Sequence, residues 1–277
     1  ASVGQGLETV LTQLASGALG VPPERVEVAQ PDTATTPDSG TTTASRQTLL
    51  AGEACLRACK AAMDALRGLG KARDDGRGDG AFPLAPLAGR EFGGEYVAET
   101  DPFESDKPNP VRHVAYSYAC HLAVLGADGR LERIVAAHDS GLVVNPLAFE
   151  GQVEGGVAMG LGFALTEDLG LADCVPEPRF GRLGLLRAPD VPPIETLIVR
   201  RAGAGSAADG GTAGAGYGAK GIGEISSIPT AAAVAGAYFA RDGRLRTSLP
   251  LEGTPYRAAP NSSPRARTSA SASSSSL

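Results

Sequence analysis

Three short segments combine glycine with an amide or acidic side chain, and each could place polar groups beside a ligand. They are Gly4-Gln5-Gly6, Gly151-Gln152 and the run 218–224, GAKGIGE. Glycine lets a ligand approach the backbone closely, and the free N–H groups at a helix start attract anions. This pattern favours a phosphate-bearing ligand with several hydrogen-bonding edges. Each segment taken alone is equally typical of an ordinary turn.

Two further features have a structural and a functional interpretation. Glu224 follows three closely spaced glycines, so a cofactor could reach its carboxylate. An acidic residue at a helix start also serves as a cap and offsets the helix dipole. The run from Thr41 to Ser45 offers several hydroxyl groups just before a predicted helix, where Ser and Thr are common N-caps. Residue patterns alone leave both pairs of alternatives open.

Composition excludes several classes of function. The chain has 277 residues, enough for one large domain or two lobes. A net charge of −6 with 5% aromatic residues and no Trp argues against nucleic acid and anionic membranes as partners. No apolar run reaches the roughly 20 residues needed to cross a bilayer. The chain opens at Ala1 directly on a motif, so we interpret it as a fragment, a processed chain or a truncated product.

Cysteine and histidine are too scattered to predict a metal centre built by this chain alone. The four cysteines are Cys55, Cys59, Cys120 and Cys174, and none forms a CxxC pair or a cluster with the three histidines. Cys55 and Cys59 could share one helix face. We expect the four thiols to be small buried residues in a reduced cytoplasm.

The apolar pattern predicts an α+β fold of two similar α/β lobes that face a shared cofactor cleft. Helices are expected over 7–18, 47–67, 146–165 and 226–240, and strands over 25–28, 114–125, 131–137 and 194–200. The predicted organisation is a first lobe over 1–70, a connecting segment over 71–110 and a second lobe over 111–258. A disordered low-complexity tail is expected over 259–277.

Four motifs in order resemble the molybdopterin-binding subunit of molybdenum hydroxylases, over roughly residues 3 to 258. The resemblance is to the C-terminal part of that subunit in the xanthine dehydrogenase and aldehyde oxidoreductase family. The motifs are Gly4-Gln5-Gly6-Leu7; Leu19-Gly20-Val21-Pro22 with Asp32-Thr33 and Thr43-Ala44-Ser45; Asp139-Ser140-Gly141 with Asn145-Pro146 and the run 151–156; and the run 218–224. The segments 226–230 and 246–251 look most like the selenium-dependent xanthine dehydrogenase branch.

The resemblance implies a set of site residues. Glu224 would be the catalytic base, and Gln152 would lie near the ligands of a molybdenum atom that molybdopterin holds, with no direct protein ligand. The cofactor-binding residues would be Gly4, Gln5, Gly6, Thr43, Ala44, Ser45, Gln152, Gly155, Lys220, Gly221 and Gly223. The cofactor would be molybdenum–molybdopterin, with its cytosine dinucleotide form among the alternatives. Iron–sulfur clusters and FAD would belong to partner subunits or domains.

The implied activity is that of an oxidoreductase in purine catabolism. It would insert water-derived oxygen at an electron-poor C–H of a purine or N-heterocycle and pass hydride to the molybdenum centre. The alternatives are an aldehyde- or carbon monoxide-oxidising homologue, an inactive assembly fragment, and a general phosphate-ligand protein. The last requires Glu224 to lie far from Gln152.

This chain departs from the family pattern in two respects. Arg46 and Gln47 stand where the family has smaller residues, Gln47 in place of a hydroxyl residue. The preceding half of the subunit, which would supply the other wall of the substrate pocket, is not in this sequence. The substrate is therefore the least determined part of the prediction.

Overall fold

The computed structural model describes residues 2–70, 84–176, 181, 183–199 and 217–257. The expected tail over 259–277, part of the connecting segment and most of the Gly- and Ala-rich run before Tyr217 lie outside these residues. The described part contains both helices and strands, in agreement with the predicted α+β class. The lobe boundaries stay a prediction.

Two helices that pack against each other form most of the described first lobe. Helix α1 spans Leu7–Leu19 and helix α2 spans Gln47–Gly68. Gly6 precedes α1 and Gly20 follows it, both with left-handed backbone, which glycine adopts without a Cβ penalty. Leu66 and Met63 of α2 are buried in a small core with Leu87. Both helices fall within two residues of their predicted bounds.

The predicted strand over 25–28 does not form. Pro23–Arg25 makes a short 3-10 turn instead, and the described residues of this lobe contain no strand. Proline locks φ and lacks an N–H donor, so the chain after Pro22 starts a turn. Alternation over only four residues could not override that turn, and no neighbouring strand is present in residues 2–70 to pair with it.

The second lobe packs two helices on one face of a three-stranded sheet. Strand β1 is Tyr118–Leu125 and β2 is Leu131–Asp139, joined in an antiparallel hairpin by the turn at Gly129. Two short strands follow, β3 Leu171–Ala172 and β4 Val175–Pro176, which pair with each other. Strand β5, Ile194–Ile198, adds to β2 in parallel, giving the order β1-β2-β5. Helix α3 is Pro146–Leu165 and helix α4 is Ile228–Asp242.

Helices α3 and α4 cross at glycines. A Cβ on Gly156 would lie 2.0 Å from Ser226 Oγ, and one on Gly160 would lie 2.6 Å from Thr230 Cβ. Only a residue without a side chain allows the helices to approach this closely. This crossing fixes where α4 begins, and therefore where the turn that contains Glu224 is placed.

The segment between the lobes lies along α2. A Cβ on Gly94 would lie 2.1 Å from the Ala54 carbonyl oxygen, so this segment touches the helix backbone directly. Arg57 donates to the Glu95 carbonyl at 2.8 Å and stacks over the Tyr96 ring. The connecting segment is thus attached to the first lobe before it enters β1.

The cysteines differ from the expectation of four buried thiols. Cys59 is buried and Cys55 is half-buried on the same face of α2, as their spacing predicted. Cys120 and Cys174 are exposed, so the expectation is wrong for these two residues. Cys120 points away from the helices because it alternates with His121 along β1. In the described part of the chain, no helix is long and apolar enough to cross a bilayer.

Candidate functional site

A cavity of about 60 Å³ lies where the two lobes meet. The first lobe contributes Gln5, Val10 and Thr48, and the second contributes Gln152 among others. The remaining lining residues are Ser140, Leu142, Val143, Val144, Asn145, Ala148, Phe149, Lys220 and Ile222. Three predicted site residues, Gln5, Gln152 and Lys220, therefore share one cavity although they are far apart in sequence.

The polar lining of this cavity consists of groups that can donate hydrogen bonds. They are the amides of Gln5, Asn145 and Gln152, the hydroxyls of Thr48 and Ser140, and the ammonium of Lys220; no carboxylate lines the cavity among the described residues. Amides and hydroxyls also accept, and the Lys220 ammonium adds a further donor that is paired with Asp139. The arrangement suits a ligand rich in acceptors, such as a phosphate or a heterocycle with carbonyl groups.

Gln5 reaches the cavity from the turn that precedes α1. Gly4 and Gly6 on either side have φ of +98° and +79°. A Cβ on either glycine would meet no atom within 4 Å, so the two glycines border open space. The glycines are thus required by backbone conformation, and they leave room for a ligand beside the turn.

Ala44 and Ser45 are held in left-handed backbone, with φ of +55° and +50°. Left-handed conformation is costly for residues with a Cβ, and such strain clusters at ligand-binding loops. The Ser45 hydroxyl accepts a hydrogen bond from the Glu224 backbone N–H at 3.0 Å. The second and fourth motifs are therefore in direct contact.

Arg46 and Gln47, the two departures from the family pattern, both turn back onto the loop that they follow. Arg46 donates to the Thr41 carbonyl and Gln47 Nε2 donates to Thr42 Oγ1, each at 2.9 Å. Through these two hydrogen bonds, the longer side chains of Arg46 and Gln47 stabilise the strained loop. Thr43, also a predicted site residue, is exposed, and no contact places it in the cavity.

Glycines 221 and 223 bring the fourth motif against the second. A Cβ on Gly221 would lie 2.5 Å from the Ser45 carbonyl oxygen. A Cβ on Gly223 would lie 3.3 Å from Ser45 Oγ and 3.9 Å from Gln152 Oε1. Ser45, Gln152 and the turn that contains Glu224 thus meet at one point. The general phosphate-ligand alternative requires Glu224 to lie far from Gln152, and this proximity contradicts it.

Gly151-Gln152 does not lie at a helix start, as the glycine pattern suggested. It lies inside α3, which begins at Pro146 and is capped by the Asn145 side chain, which accepts from the Ala148 N–H. The backbone N–H groups near Gln152 are therefore used within the helix. Only the Gln152 side chain can contact a ligand. Gly155, one turn further on, is exposed with no atom near its Cβ position.

The segment from Tyr217 to Gly221 is anchored on both lobes. The Tyr217 hydroxyl donates to the Thr48 carbonyl of α2, and burial raises the pKa of Tyr217, so the phenol stays protonated. Ser117 donates to the Gly221 carbonyl. Lys220 N–H donates to the Ser140 carbonyl at 3.0 Å, and the Lys220 ammonium pairs with Asp139 at 3.0 Å. The segment therefore cannot move without breaking contacts to both lobes.

Glu224 itself lies at the open edge of the site. Its side chain is exposed, and the residue is not part of the cavity lining. The Glu224 carbonyl accepts from the Ser227 hydroxyl at 3.0 Å, which closes the turn into α4. The backbone of Glu224 is thus fixed at both ends, while the carboxylate is free to meet a ligand on the open side.

Several lining residues were not predicted as site residues. Ser140 and Asn145 belong to quoted motifs, so the motifs themselves held the signal. Thr48 and Phe149 lie on helices, and no local pattern distinguishes them from neighbouring helix residues. Ser140 is 3% exposed, and its hydroxyl has no hydrogen-bond partner among the described residues.

Comparison with known proteins places the chain among proteins that handle molybdopterin. Residues 1–192 match the family model described as molybdopterin cofactor-binding domain. The chain is 30% identical over 261 residues to the 6-hydroxypseudooxynicotine dehydrogenase complex subunit gamma of Paenarthrobacter nicotinovorans, with 85% of this chain and 32% of that protein covered. It is 30% identical over 286 residues to the putative xanthine dehydrogenase molybdenum-binding subunit of Escherichia coli K12, covering 92% and 36%.

A solved structure shows the same architecture. The aldehyde oxidoreductase from Desulfovibrio gigas superposes with a TM-score of 0.71 at 26% identity, covering 89% of this chain and 27% of that protein. The predicted α+β molybdopterin-binding fold is confirmed. The chain spans about a third of the length of the curated relatives that it matches.

Proposed function

The chain belongs to the molybdopterin cofactor-binding domain family, and from this premise we propose that it is part of the molybdenum subunit of a hydroxylase. The main support is that Gln5, Ser45, Gln152 and the turn at Glu224 converge from four separate segments. Residues so far apart in sequence meet only through the fold. Gln5 and Gln152 line one cavity, and Ser45 and the turn at Glu224 lie beside Gln152, which purely structural roles would not require.

The residues present fit molybdopterin. The donor groups and the Lys220 ammonium suit the phosphate and the carbonyl of the pterin. The open space beside Gly4, Gly6 and Gly218 admits a flat group next to the backbone. The buried Ser140 hydroxyl offers a donor that no described protein group uses. We propose that Gln5, Ser45, Gln152 and Lys220 hold the cofactor.

We assign the base to Glu224. When bound, the molybdenum cofactor would supply a two-electron acceptor and Lewis acidity. The Glu224 carboxylate would take up a proton as a water-derived oxygen attacks an electron-poor carbon of the substrate. The Ser45 hydroxyl fixes the Glu224 backbone, so the carboxylate starts from a defined position at the cavity edge. The Gln152 amide would orient groups close to the metal.

For the substrate we propose a purine or a related N-heterocycle, with an aldehyde or carbon monoxide as the alternative. A xanthine dehydrogenase subunit and an aldehyde oxidoreductase both resemble the chain at 26–30% identity, and this level of similarity does not separate the two. The proposed partners are the rest of the molybdenum subunit, an iron–sulfur subunit and an FAD subunit. The relative from Paenarthrobacter nicotinovorans is named as part of a complex, which supports such partners. The selenium-dependent branch stays a prediction.

A second candidate is an assembly fragment without activity. The observation that favours it is the exposed position of Glu224, which lies outside the cavity lining. The two candidates differ in whether a complete assembly containing this chain turns over substrate.

The test is to express the chain with the proteins encoded beside it, and then to measure molybdenum content and oxidation of xanthine, hypoxanthine and aldehydes. Glu224→Gln should keep the molybdenum content while activity falls by roughly 10²–10⁴-fold, the usual contribution of a general base. Glu24→Gln is the matched control, because Glu24 is an exposed carboxylate in the turn after α1. This variant should change neither the molybdenum content nor the activity. Full activity in Glu224→Gln would overturn the base assignment, and an assembly without molybdenum would favour the inactive fragment.

A further inference from the structure

Helix α3 is apolar on its outer side as well as on the side that packs in the core. Of its 20 residues, only Glu150 and Glu154 are charged. A helix at a protein surface normally has a polar outer side, and a helix that is apolar all round is normally buried. Yet α3 exposes a row of five residues spaced four apart, which we call the outer row: Leu147, Gly151, Gly155, Met159 and Phe163.

The three large side chains of the outer row are strongly exposed. Leu147 is 81% exposed, Met159 is 56% exposed and Phe163 is 51% exposed. Apolar residues exposed singly are ordinary, whereas a contiguous apolar surface is typical of an interaction site. The row is about 24 Å long, at roughly 1.5 Å of helix rise per residue. It is therefore long enough for a polypeptide segment.

Gly151 and Gly155 form a notch in the middle of the outer row. Beyond the helix's own backbone, no described atom lies within 4 Å of the Cβ position of either glycine. On the opposite side of α3, Gly156 and Gly160 are in close contact with α4. The notch would allow a second backbone to approach α3 as closely as α4 does.

The outer row lies between the cavity and an acidic rim. Ala148 and Gln152, on one side of the row, line the cavity. Glu150 and Glu154, on the other side, are exposed. A polypeptide on the row would therefore reach the open edge of the proposed site and would also meet two carboxylates. Basic residues complement such a rim, whereas the phosphate of a cofactor does not.

A second copy of this chain is a poor match for the outer row. Two α3 helices packed antiparallel on this row would bring their acidic rims side by side, because each rim then faces its counterpart. Like charges placed in this way oppose association. The net charge of −6 adds to the repulsion between copies.

We propose that the rest of the molybdenum subunit docks on the outer row, through an apolar segment bordered by Lys or Arg. This inference rests on the function proposed above, which names that subunit as a partner. The three large side chains of the row would be buried against the segment, and its backbone would fit into the notch. Because Gln152 lies beside the row, the same contact would cover the open edge of the cavity.

Methionine oxidation measures whether the outer row is covered. The chain has two methionines, Met159 in the row and Met63, which is buried in the first lobe. In the isolated chain, hydrogen peroxide should oxidise Met159 at least about 10-fold faster than Met63, as followed by peptide mass spectrometry. In the assembly purified after co-expression with the polypeptides encoded beside the chain, Met159 should react about 10-fold more slowly, while Met63 keeps its rate.

Gly151→Leu fills the notch without a clash inside the chain. The isolated variant should unfold at no lower denaturant concentration, because leucine favours a helix over glycine. Its assembly with the co-expressed polypeptides should weaken at least about 10-fold, measured by size exclusion with light scattering. Gly236→Leu on α4 is the matched control, since this glycine is also exposed with no atom within 4 Å of its Cβ position. It should assemble as the unchanged chain does.

Several results would overturn the proposal. They are a Met159 that stays equally reactive in the assembly, a Gly151→Leu variant that assembles as Gly236→Leu does, and a chain that assembles with none of the polypeptides. Slow oxidation of Met159 in the isolated chain, at any concentration or only at high concentration, would also overturn it, because the chain itself or a second copy would then cover the row.

The hydroxylase function has a separate readout. An assembly that protects Met159 but contains no molybdenum would support the docking surface and count against the hydroxylase function. An assembly that contains molybdenum while Met159 stays reactive would do the reverse.

Discussion

The Glu224 backbone N–H donates to the Ser45 hydroxyl at 3.0 Å, across 179 residues of sequence. This bond joins the strained loop of the first lobe to the turn that presents the proposed base. Ser45 accepts this bond with a φ of +50°, a conformation that residues with a Cβ seldom adopt. The strained backbone at Ser45 therefore helps to hold the backbone of Glu224 in place.

Replacing Ser45 should affect the site through this bond. Ser45→Ala removes the acceptor of the Glu224 N–H but keeps the strained backbone. We expect the free energy of unfolding to fall by about 1 kcal/mol and kcat/KM of an active assembly to fall roughly 5- to 10-fold. Chemical denaturation and steady-state kinetics check the two values. Ala44→Gly relieves the same kind of strain without losing a hydroxyl, and it should raise the free energy of unfolding; equal effects of the two changes would contradict this account.

Gly221→Ala should separate the two motifs. The new Cβ would lie 2.5 Å from the Ser45 carbonyl oxygen and 2.6 Å from Ser45 Cβ, so the backbone itself must move. We expect a loss of about 1–3 kcal/mol of stability and a lower molybdopterin content in the assembled protein. Gly236→Ala on α4 is the control, because no atom lies within 4 Å of its Cβ position. If both variants bind the cofactor as the unchanged chain does, the contact does not matter for binding.

The crossing of α3 and α4 gives a second pair of variants. Gly156→Ala places a methyl group 2.0 Å from Ser226 Oγ and 2.8 Å from the Ser226 carbonyl carbon. We expect it to destabilise the chain by about 1–3 kcal/mol, because both helices must shift. Gly151→Ala lies on the same helix with open space around it, and should stabilise by about 0.5–1 kcal/mol. Urea denaturation of both variants tests this, and effects of the same sign would show that the helices do not meet at Gly156.

The buried histidine pair makes stability depend on pH. Burial lowers the pKa of His121 from 6.5 to about 4, with the nearby His138 adding to the effect, and burial also lowers the pKa of His138. Between pH 6.5 and 4 the unfolded chain binds protons that the folded chain does not. Stability should therefore fall as pH drops through this window, by about 3 kcal/mol for His121, and should stop depending on His121 below pH 4.

Unfolding by denaturant at several pH values measures this slope. His113→Gln should leave the slope unchanged, because His113 is exposed. His121→Gln should reduce it, since one of the two buried imidazoles is then missing. A slope that is the same in His121→Gln and in the unchanged chain would assign the effect to other groups.

Cys55 should be the thiol that alkylates fastest at neutral pH. A hydrogen bond from the Cys59 thiol lowers the pKa of Cys55 to about 7, although Cys55 is only half exposed. Near pH 7 its reaction with iodoacetamide should therefore be roughly 10-fold faster than that of the exposed Cys120 and Cys174. Peptide mass spectrometry over a time course measures the three rates. Cys59→Ala should slow the alkylation of Cys55 at this pH. An unaltered rate would refute the claim that the Cys59 thiol lowers the pKa of Cys55.

Local sequence was sufficient for most of the elements. Helix α3 begins at Pro146 with Asn145 as its cap and ends at Leu165, as predicted, because capping and apolar spacing act within a few residues. The hairpin between β1 and β2 follows from the turn at Gly129 for the same reason. The strand expected over 25–28 failed because a strand needs a partner, and a partner is not a local property.

Tertiary structure alone decided which of the motif residues meet. The pattern of residues could nominate Gln5, Ser45, Gln152 and Glu224 one by one, and the resemblance could group them. The distances between these four residues depend on close contacts such as that of Gly221 with Ser45, which are far apart in the chain. Such contacts result from packing of complete helices and loops, and no neighbouring residue signals them.

The same reason explains the difference between Ser140 and its neighbours in the motif. Asp139 and Ser140 both belong to a quoted segment, yet Asp139 pairs with Lys220 and Ser140 is buried in the lining of the cavity. Alternation along β2 predicts that they face opposite sides. What lies on each side is set by α3, α4 and the segment 217–224, which fold onto the strand from elsewhere in the chain. Local sequence thus determined the elements and the chemistry available, while packing determined which side chains share a site.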